Sequence, residues 1–535
     1  MKKVLLLVLV ANYAFAQTKW PEALIITPEK SNFVKTSTYA EVVGFLDEIK
    51  KLSGDVHLTS MCKSLEGKDI PVAILARPKV QSAEEAKASG KLVVYVQGNI
   101  HAGEVEGKEV VMMLMRDILL GDKKHLLDNQ IILFAPIYNT DSNDKMEAGR
   151  RPSQEDSPLE VGIRENSQGL DLNRDGVKME ALETNGLFQN VILPWDPHLF
   201  VDLHTTNGTW HAWNLTWAPS YHYAGEKSVY DFTLDNLLKP ITQKVKEKYD
   251  LDFGPFGDYD LRQGWPPKNF YTYNHHPRYL VNQFGLRNRM AILSEAFAHE
   301  RFYDRINATY YFVLEILEHT HAQAVAMIAQ IRQAEEATQQ RVLNEAGKIK
   351  KGVRFKMVPL EKLNDFRTYD FIPYTKPDGT PGFYRTGKIV QFDNIDYYAK
   401  FDAEIEATLP RGYVIPAAFA HVAENLRNHG VKVTTLTKGQ TFSGEIFTVE
   451  KLEKAQRKFE GHFMARATGT YTATKAKFSK GDFLIDLAQP LGNLAFYLLE
   501  PESDDGLVTW NFFDDYFEKQ GIGNKPVAYP VFKYY

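Results

Sequence analysis

The stretch Leu92-Val93-Val94-Tyr95-Val96-Gln97-Gly98-Asn99-Ile100-His101-Ala102-Gly103-Glu104 decides how this chain is read. Its first five residues form an unbroken apolar run of strand length, the pattern of a strand covered on both faces. Residues 106–120 follow, with Val110, Met113, Leu114 and Ile118 at helical spacing. His101 and Glu104 therefore stand three apart in a strand-to-helix turn. There an imidazole nitrogen and a carboxylate oxygen can converge on one metal ion, and both suit zinc. Gly98 and Gly103 let the backbone turn tightly around the pair. A His-x-x-Glu pair alone recurs by chance in long chains. Its weight here comes from the rest of the sequence.

Working outward, further strands are predicted at residues 56–61, 70–76, 130–136, 198–204 and 289–295, and helices at 38–52, 227–249 and 301–346. Residues 81–90 and 152–168 read as polar loops. Strands alternating with helices imply an α/β domain, a largely parallel or mixed sheet sandwiched by helices. Sites in such sheets gather at the carboxyl ends of strands. His101 and Glu104 follow one predicted strand, His204 closes a second and Glu295 a third. Two His and one Glu around zinc leave a position open for water, the arrangement of hydrolytic centres. Glu295 can then accept the proton of that water and pass it to a leaving amine. Asp171 is placed to orient a ligand imidazole from behind, and Asp202, two before His204, is a weaker candidate for the same task.

The chain has 535 residues, more than one typical domain, with 44% hydrophobic and 24% charged residues, as in ordinary globular proteins. A net charge of −5, with no basic run or Gly-rich phosphate loop, excludes nucleic acid and anionic membrane as expected partners. Lys2 and Lys3 precede an apolar run from Val4 to Val10, then Ala14-Phe15-Ala16 and Gln17, which reads as a secretory signal peptide of bacterial type, cleaved after Ala16. Residues 1–16 are thus a leader, the mature protein is expected to be exported to the periplasm or beyond, and no later stretch is apolar enough to span a bilayer. Cys62 is the sole cysteine, so no internal disulfide forms and any metal must use His and carboxylate. Residues 17–349 read as the catalytic domain. From about residue 350 short β-prone runs between Pro, Gly and Asp turns mark a smaller β-rich accessory region, 350–535, with one helix near residues 418–429. Its aromatic segments, Gln489 to Phe496 and Thr509 to Asp514, are expected to dock onto the catalytic domain.

One further segment narrows the reading: Arg164-Glu165-Asn166-Ser167-Gln168-Gly169-Leu170-Asp171-Leu172-Asn173-Arg174-Asp175. With His101-x-x-Glu104, Gly169-x-Asp171-x-Asn173-Arg174, His204 and Glu295 in this order, the chain resembles the zinc carboxypeptidase family over residues 35–325. The resemblance implies that His101, Glu104 and His204 bind one zinc ion and that Glu295 is the general base. Asn173 and Arg174 would grip the terminal carboxylate of a peptide substrate, a task suited to the planar fork of Arg. Arg164 sits where the regulatory branch of the family has its oxyanion-stabilising Arg. It is preferred, for its spacing, over Arg150 and Arg151, which otherwise read as surface charge. A mobile Tyr is expected some two dozen residues before Glu295; Tyr273 fits best, with Tyr271 and Tyr279 nearby. Leu280 and Leu293 are placed to line a pocket for an apolar terminal side chain, or to belong to the core. Phe297-Ala298-His299-Glu300 imitates a ligand pair, but opening a helix it is expected at the surface.

These residues predict an exported zinc metallocarboxypeptidase acting on peptides with a free C-terminus. A second reading keeps the zinc and changes the substrate to murein stem peptides or another specialised amide. A third makes the chain a binding protein with an inert front domain, which the intact set of ligands and base argues against.

Overall fold

The computed structural model describes residues 20–221 and 223–535, so the expected leader lies outside the described residues. Helix α1 (Tyr39–Leu52) begins where Thr38 and Glu41 cap each other: the Glu41 carboxylate accepts the Thr38 N–H at 2.7 Å and Thr38 Oγ1 accepts the Glu41 N–H at 3.3 Å. Strands β1 (Val56–Lys63) and β2 (Asp69–Leu75) form a hairpin. Helix α2 (Ala83–Ser89) then corrects the loop expected at residues 81–90. Ser82 Oγ caps it, Gly90 ends it at φ +68°, and Ala83 and Ala86 are its buried face. Two small alanines carry little hydropathy, so the helical period was there without the apolar signal.

Strand β3 (Leu92–Gly98), helix α3 (Glu106–Leu119) and strand β4 (Gln130–Ala135) come next, followed by β5 (Leu199–Thr205), β6 (Leu215–Pro219) and β7 (Phe253–Pro255). The expected helix at 227–249 is one rod with a π-helical turn at Thr233–Leu238. Strand β8 (Asn269–Tyr271), helix α4 (Leu280–Leu286), strand β9 (Met290–Ala296) and the 44-residue helix α5 (Phe302–Glu345) complete this part. Eight strands make one mixed sheet in the order β1-β2-β4-β3-β5-β9-β6-β7. At its centre β4, β3, β5 and β9 are parallel. Alternate residues feed two cores: Val94, Val96, Val201 and Leu203 pack with α3 and α5, while Val93, Tyr95 and Phe200 pack with Phe188, Leu280 and Phe284. Burial on both faces is why these strands read as continuous apolar runs.

Beyond residue 349 lie β10 (Lys350–Leu363), the hairpin β11 (Phe366–Thr375) and β12 (Pro381–Phe392), β13 (Ile395–Thr408), a further antiparallel sheet and the buried helix α6 (Gly492–Leu499). Strand β8 pairs in parallel with β13, so residues 269–271 belong to a sheet of the C-terminal region. Ile395, Tyr397, Ala399 and Phe401 share the second core with the main sheet, and Val177, Leu286 and Val342 share a third with Leu494, Phe496 and Trp510. The aromatics of the late segments, Phe496, Tyr497, Trp510 and Phe513, are buried there rather than exposed for a ligand. Among the described residues no helix is long and apolar enough to cross a membrane.

Glu226 knots these parts together. It pairs with Arg341 of α5 and accepts hydrogen bonds from Thr338 (3.1 Å) and from Asn493 of α6 (3.0 Å). Burial raises its carboxyl, but the Arg341 and Asn493 hydrogen bonds and the nearby cations outweigh that and bring it down to about 2 from 4.5. A carboxyl with a depressed folded value gives stability that is complete above its unfolded value and is lost as pH falls through the folded one. Wild type should therefore lose its stability advantage over Glu226→Gln between about pH 4.5 and 2, with no such loss from pH 7 to 5. Urea melts of both chains across that range check this; a constant difference would refute it.

Candidate active site

The chain leaves β3 through Asn99, whose φ of +65° makes the sharp bend; Gly98 and Gly103 are needed for a different reason. A Cβ on Gly98 would stand 2.8 Å from the backbone of Gly107, where α3 presses on the strand end, and one on Gly103 would meet Arg151 and the Gly162 carbonyl. Close approach, not a positive φ, demands glycine at both. His101, at the bend, and Glu104, before α3, are buried at 4% and 3% exposure.

The sheet register brings in the remaining groups. In the parallel pair β5–β9, His204 lies directly opposite Glu295. His204 Nδ1 is 2.8 Å from Glu104 Oε2, and His101 Nδ1 is 3.0 Å from Glu104 Oε1. Each imidazole turns its other nitrogen to a carboxylate: His101 Nε2 to Asp171 at 3.0 Å, His204 Nε2 to Asp202 at 3.0 Å. Asp171 is where the sequence expects it, and Asp202, the weaker candidate, does for His204 what Asp171 does for His101. Asp202 is steadied in turn by the Gln97 amide at 3.3 Å, and Gln97 by the Tyr95 hydroxyl at 2.6 Å.

The charges are strongly coupled. Burial opposes ionisation of Asp171, yet His101, Arg174 and Arg164 hold its carboxyl well below the usual carboxylate range. Burial likewise disfavours a charged His204, but Asp202 and Glu104 raise it well above an ordinary imidazole. Glu295 goes the other way. Burial, with the Glu104 charge beside it, pushes its carboxyl up to about 8 against the pull of His204, Arg151 and Arg164. A cavity-lining carboxyl raised toward neutrality suits proton transfer in either direction.

The donor set fits a zinc ion. Two imidazole nitrogens and a carboxylate oxygen lie within 4.8 Å of one another, and a carboxylate stands 3.0 Å behind each ring. Around them lies a cavity of about 210 Å³. Arg164, Asn173, Arg174, Tyr273, Tyr279, Leu293 and Glu295 line it, so the structure brings every expected site residue to one place except Asp171, which stands just behind His101.

Arg164 holds Asp171 through Nε and Nη2 at 2.9 and 2.8 Å. Asn173 Oδ1 accepts the Leu280 N–H at 3.0 Å, and Arg174 lies over the Tyr279 ring at 4.5 Å. Tyr273 donates to Asn282 Oδ1 at 3.1 Å from the wall. Tyr271 instead packs on Tyr398, in the strand pair β8–β13. Leu280 belongs to the core, and Val281 and Phe256 join Leu293 in the apolar lining. Arg151, read from sequence as surface charge, reaches Glu104 at 2.8 Å, nearer than Arg164 at 3.7 Å; Arg150 does stay on the surface, paired with Glu147. Nothing in the spacing of Arg151 announces this, because a long polar loop must fold back to deliver it. His299 is not at the surface either: it stacks on Trp210 at 3.2 Å and bonds the Gly208 carbonyl. Burial raises the Cys62 thiol to about 12, which makes it inert as a nucleophile.

A family profile described as zinc carboxypeptidase matches residues 42–222 of this chain. That segment, a third of the chain, is similar to the zinc carboxypeptidases. Among similar proteins, Carboxypeptidase 2 of Trichophyton tonsurans is 23% identical over 465 residues, covering 84% of this chain and 78% of the relative. Carboxypeptidase 2 of Trichophyton rubrum is 23% identical over 476 residues, covering 85% and 80%. A metallo-carboxypeptidase structure from Burkholderia cenocepacia is 14% identical and covers 54% of this chain and 70% of that one, with a TM-score of 0.39. The profile of the zinc carboxypeptidases spans His101, Glu104, Arg164, Asn173, Arg174 and His204 and stops before Glu295. The sheet closes that gap by setting β9 beside β5.

Proposed function

We propose that this chain is an exported zinc carboxypeptidase that removes single residues from the free C-terminus of peptides. The observation that carries the reading is the meeting, in one cavity, of a His-Glu-His donor set, the Glu295 carboxyl and an Asn-Arg pair. His101, Glu104 and His204 would hold the metal. When bound there, zinc supplies a Lewis acid that polarises the scissile carbonyl and lowers the pKa of water. Asp171 and Asp202 keep each ligand ring in the tautomer that presents Nδ1. Glu295 takes a proton from the attacking water at its carboxylate and returns it to the leaving amine nitrogen. Arg164, with Arg151 beside it, donates to the carbonyl oxygen as that oxygen gains charge. Asn173 and Arg174 bind the terminal carboxylate, and Phe256, Val281 and Leu293 favour an apolar last side chain.

A peptide library, half with free and half with amidated C-termini, tests this with and without a zinc chelator. We expect chelator-sensitive loss of single residues from free ends alone. Internal cuts, or no cleavage by a zinc-loaded chain, would refute it and favour murein peptides or another specialised amide. The dibasic start, apolar run and small-residue site at Ala16 support export. Mature protein recovered outside the cytoplasm should begin at Gln17, and an intact Met1 terminus would refute that part.

A further inference from the structure

Among the described residues, two groups of His, Asp and Glu bring three ligand atoms within 4.8 Å of one another. One is the centre just described. The other is His275, His276 and Asp504, in which the two histidines and the carboxylate come from segments 229 residues apart. We propose that this second group is a structural site for a divalent cation of the zinc class.

His275 and Asp504 make a hydrogen-bonded ion pair, and His276 brings a second imidazole toward the same oxygen. His275 Nε2 is 3.0 Å from Asp504 Oδ2, and His276 Nε2 approaches the same oxygen at 4.0 Å. That second distance is too long for a hydrogen bond. The two distances, 3.0 and 4.0 Å, fall on either side of the separation of about 3.4 Å between ligand atoms that share a tetrahedral ion at roughly 2.1 Å from each. Asp504 is pre-oriented as metal carboxylates are: the Tyr497 hydroxyl donates to Oδ1 and the Phe355 N–H to Oδ2 at 3.0 Å. His275 is 1% exposed, with its ring against Phe355 and Phe401, while His276 and Asp504 keep 19% and 14% exposure, an entry path for an ion. Two imidazole nitrogens and one carboxylate oxygen select zinc-like ions over calcium or magnesium.

The site's place explains its use. His275 and His276 lie in the loop between β8 and α4, which also carries Tyr273 and Tyr279 to the cavity wall, and Asp504 belongs to the C-terminal region. A cation here would fasten the substrate-facing loop to that region without touching the catalytic donor set.

Zinc bound by the purified full chain, counted by mass spectrometry after equilibrium dialysis against zinc chloride, tests the proposal. Wild type should hold two ions and His276→Gln one fewer. Asp504→Asn should lose the same ion, and the double variant His101→Gln/His204→Gln the other. Because Asp504 also accepts from Tyr497 and from the Phe355 N–H, its replacement can disturb folding, so His276 gives the decisive variant. Equal zinc in wild type and in folded His276→Gln would overturn the proposal, whatever is found at the catalytic centre.

Discussion

Glu295→Gln should fold, bind zinc at the His101-Glu104-His204 centre as wild type does, and lose ~10²–10⁴-fold in kcat/KM, the usual contribution of a positioned proton-transfer group. The amide matches the carboxylate in shape and hydrogen-bonding reach but cannot take a proton. Glu295 lines the cavity directly across the β5–β9 pair from His204, and burial beside Glu104 makes its charged form costly. Removing that charge should leave thermal stability unchanged or raised, as happens where a site is tuned for chemistry at the expense of stability. Steady-state kinetics on a free-acid peptide, with zinc content and melting temperature on the same preparation, checks all three. Turnover within tenfold of wild type would refute the role given to Glu295.

Asp505→Ala should be the most destabilising single change in the C-terminal region, by about 3–5 kcal/mol, because it strands a buried guanidinium. Asp505 is 0% exposed and accepts from the Arg278 backbone N–H and from Nε, both at 2.8 Å, and from Trp510 Nε1 at 2.9 Å. The Arg278 guanidinium also lies 4.9 Å over the Trp510 ring. Replacing both partners, as Arg278→Met with Asp505→Leu, should recover most of the loss, since an apolar pair leaves no unpaired charge. Chemical denaturation of the two variants distinguishes these outcomes. A loss below about 1 kcal/mol for Asp505→Ala would place the pair among ordinary surface contacts. Arg278 adjoins Tyr279, so the single variant should also raise KM through a displaced cavity wall.

Much of the site was legible before the fold. A strand covered on both faces announces itself as an apolar run, and its last polar residues must fall at the strand end; this located His101, Glu104, His204 and Glu295. The run from Arg164 to Arg174 was legible only through its resemblance to the zinc carboxypeptidases. Helix α2 was not, because Ala83 and Ala86 bury a face without raising hydropathy. Arg151 was not, because its position depends on how a long polar loop returns to the sheet. The packing of His299 on Trp210 was hidden for the same reason.

The sequence by itself determined the chemistry on offer: two imidazoles, a carboxylate ligand and a carboxyl base, each tied to a strand end by local periodicity. Tertiary structure alone decided which groups meet. It set His204 opposite Glu295, put Asp202 and Asp171 behind the two rings, folded Arg151 inward and joined Asp504 and Asp505 to the loop of Tyr273 and Tyr279. Periodicity is a property of neighbours along the chain, whereas these contacts arise from packing between segments far apart in it and leave no periodic trace.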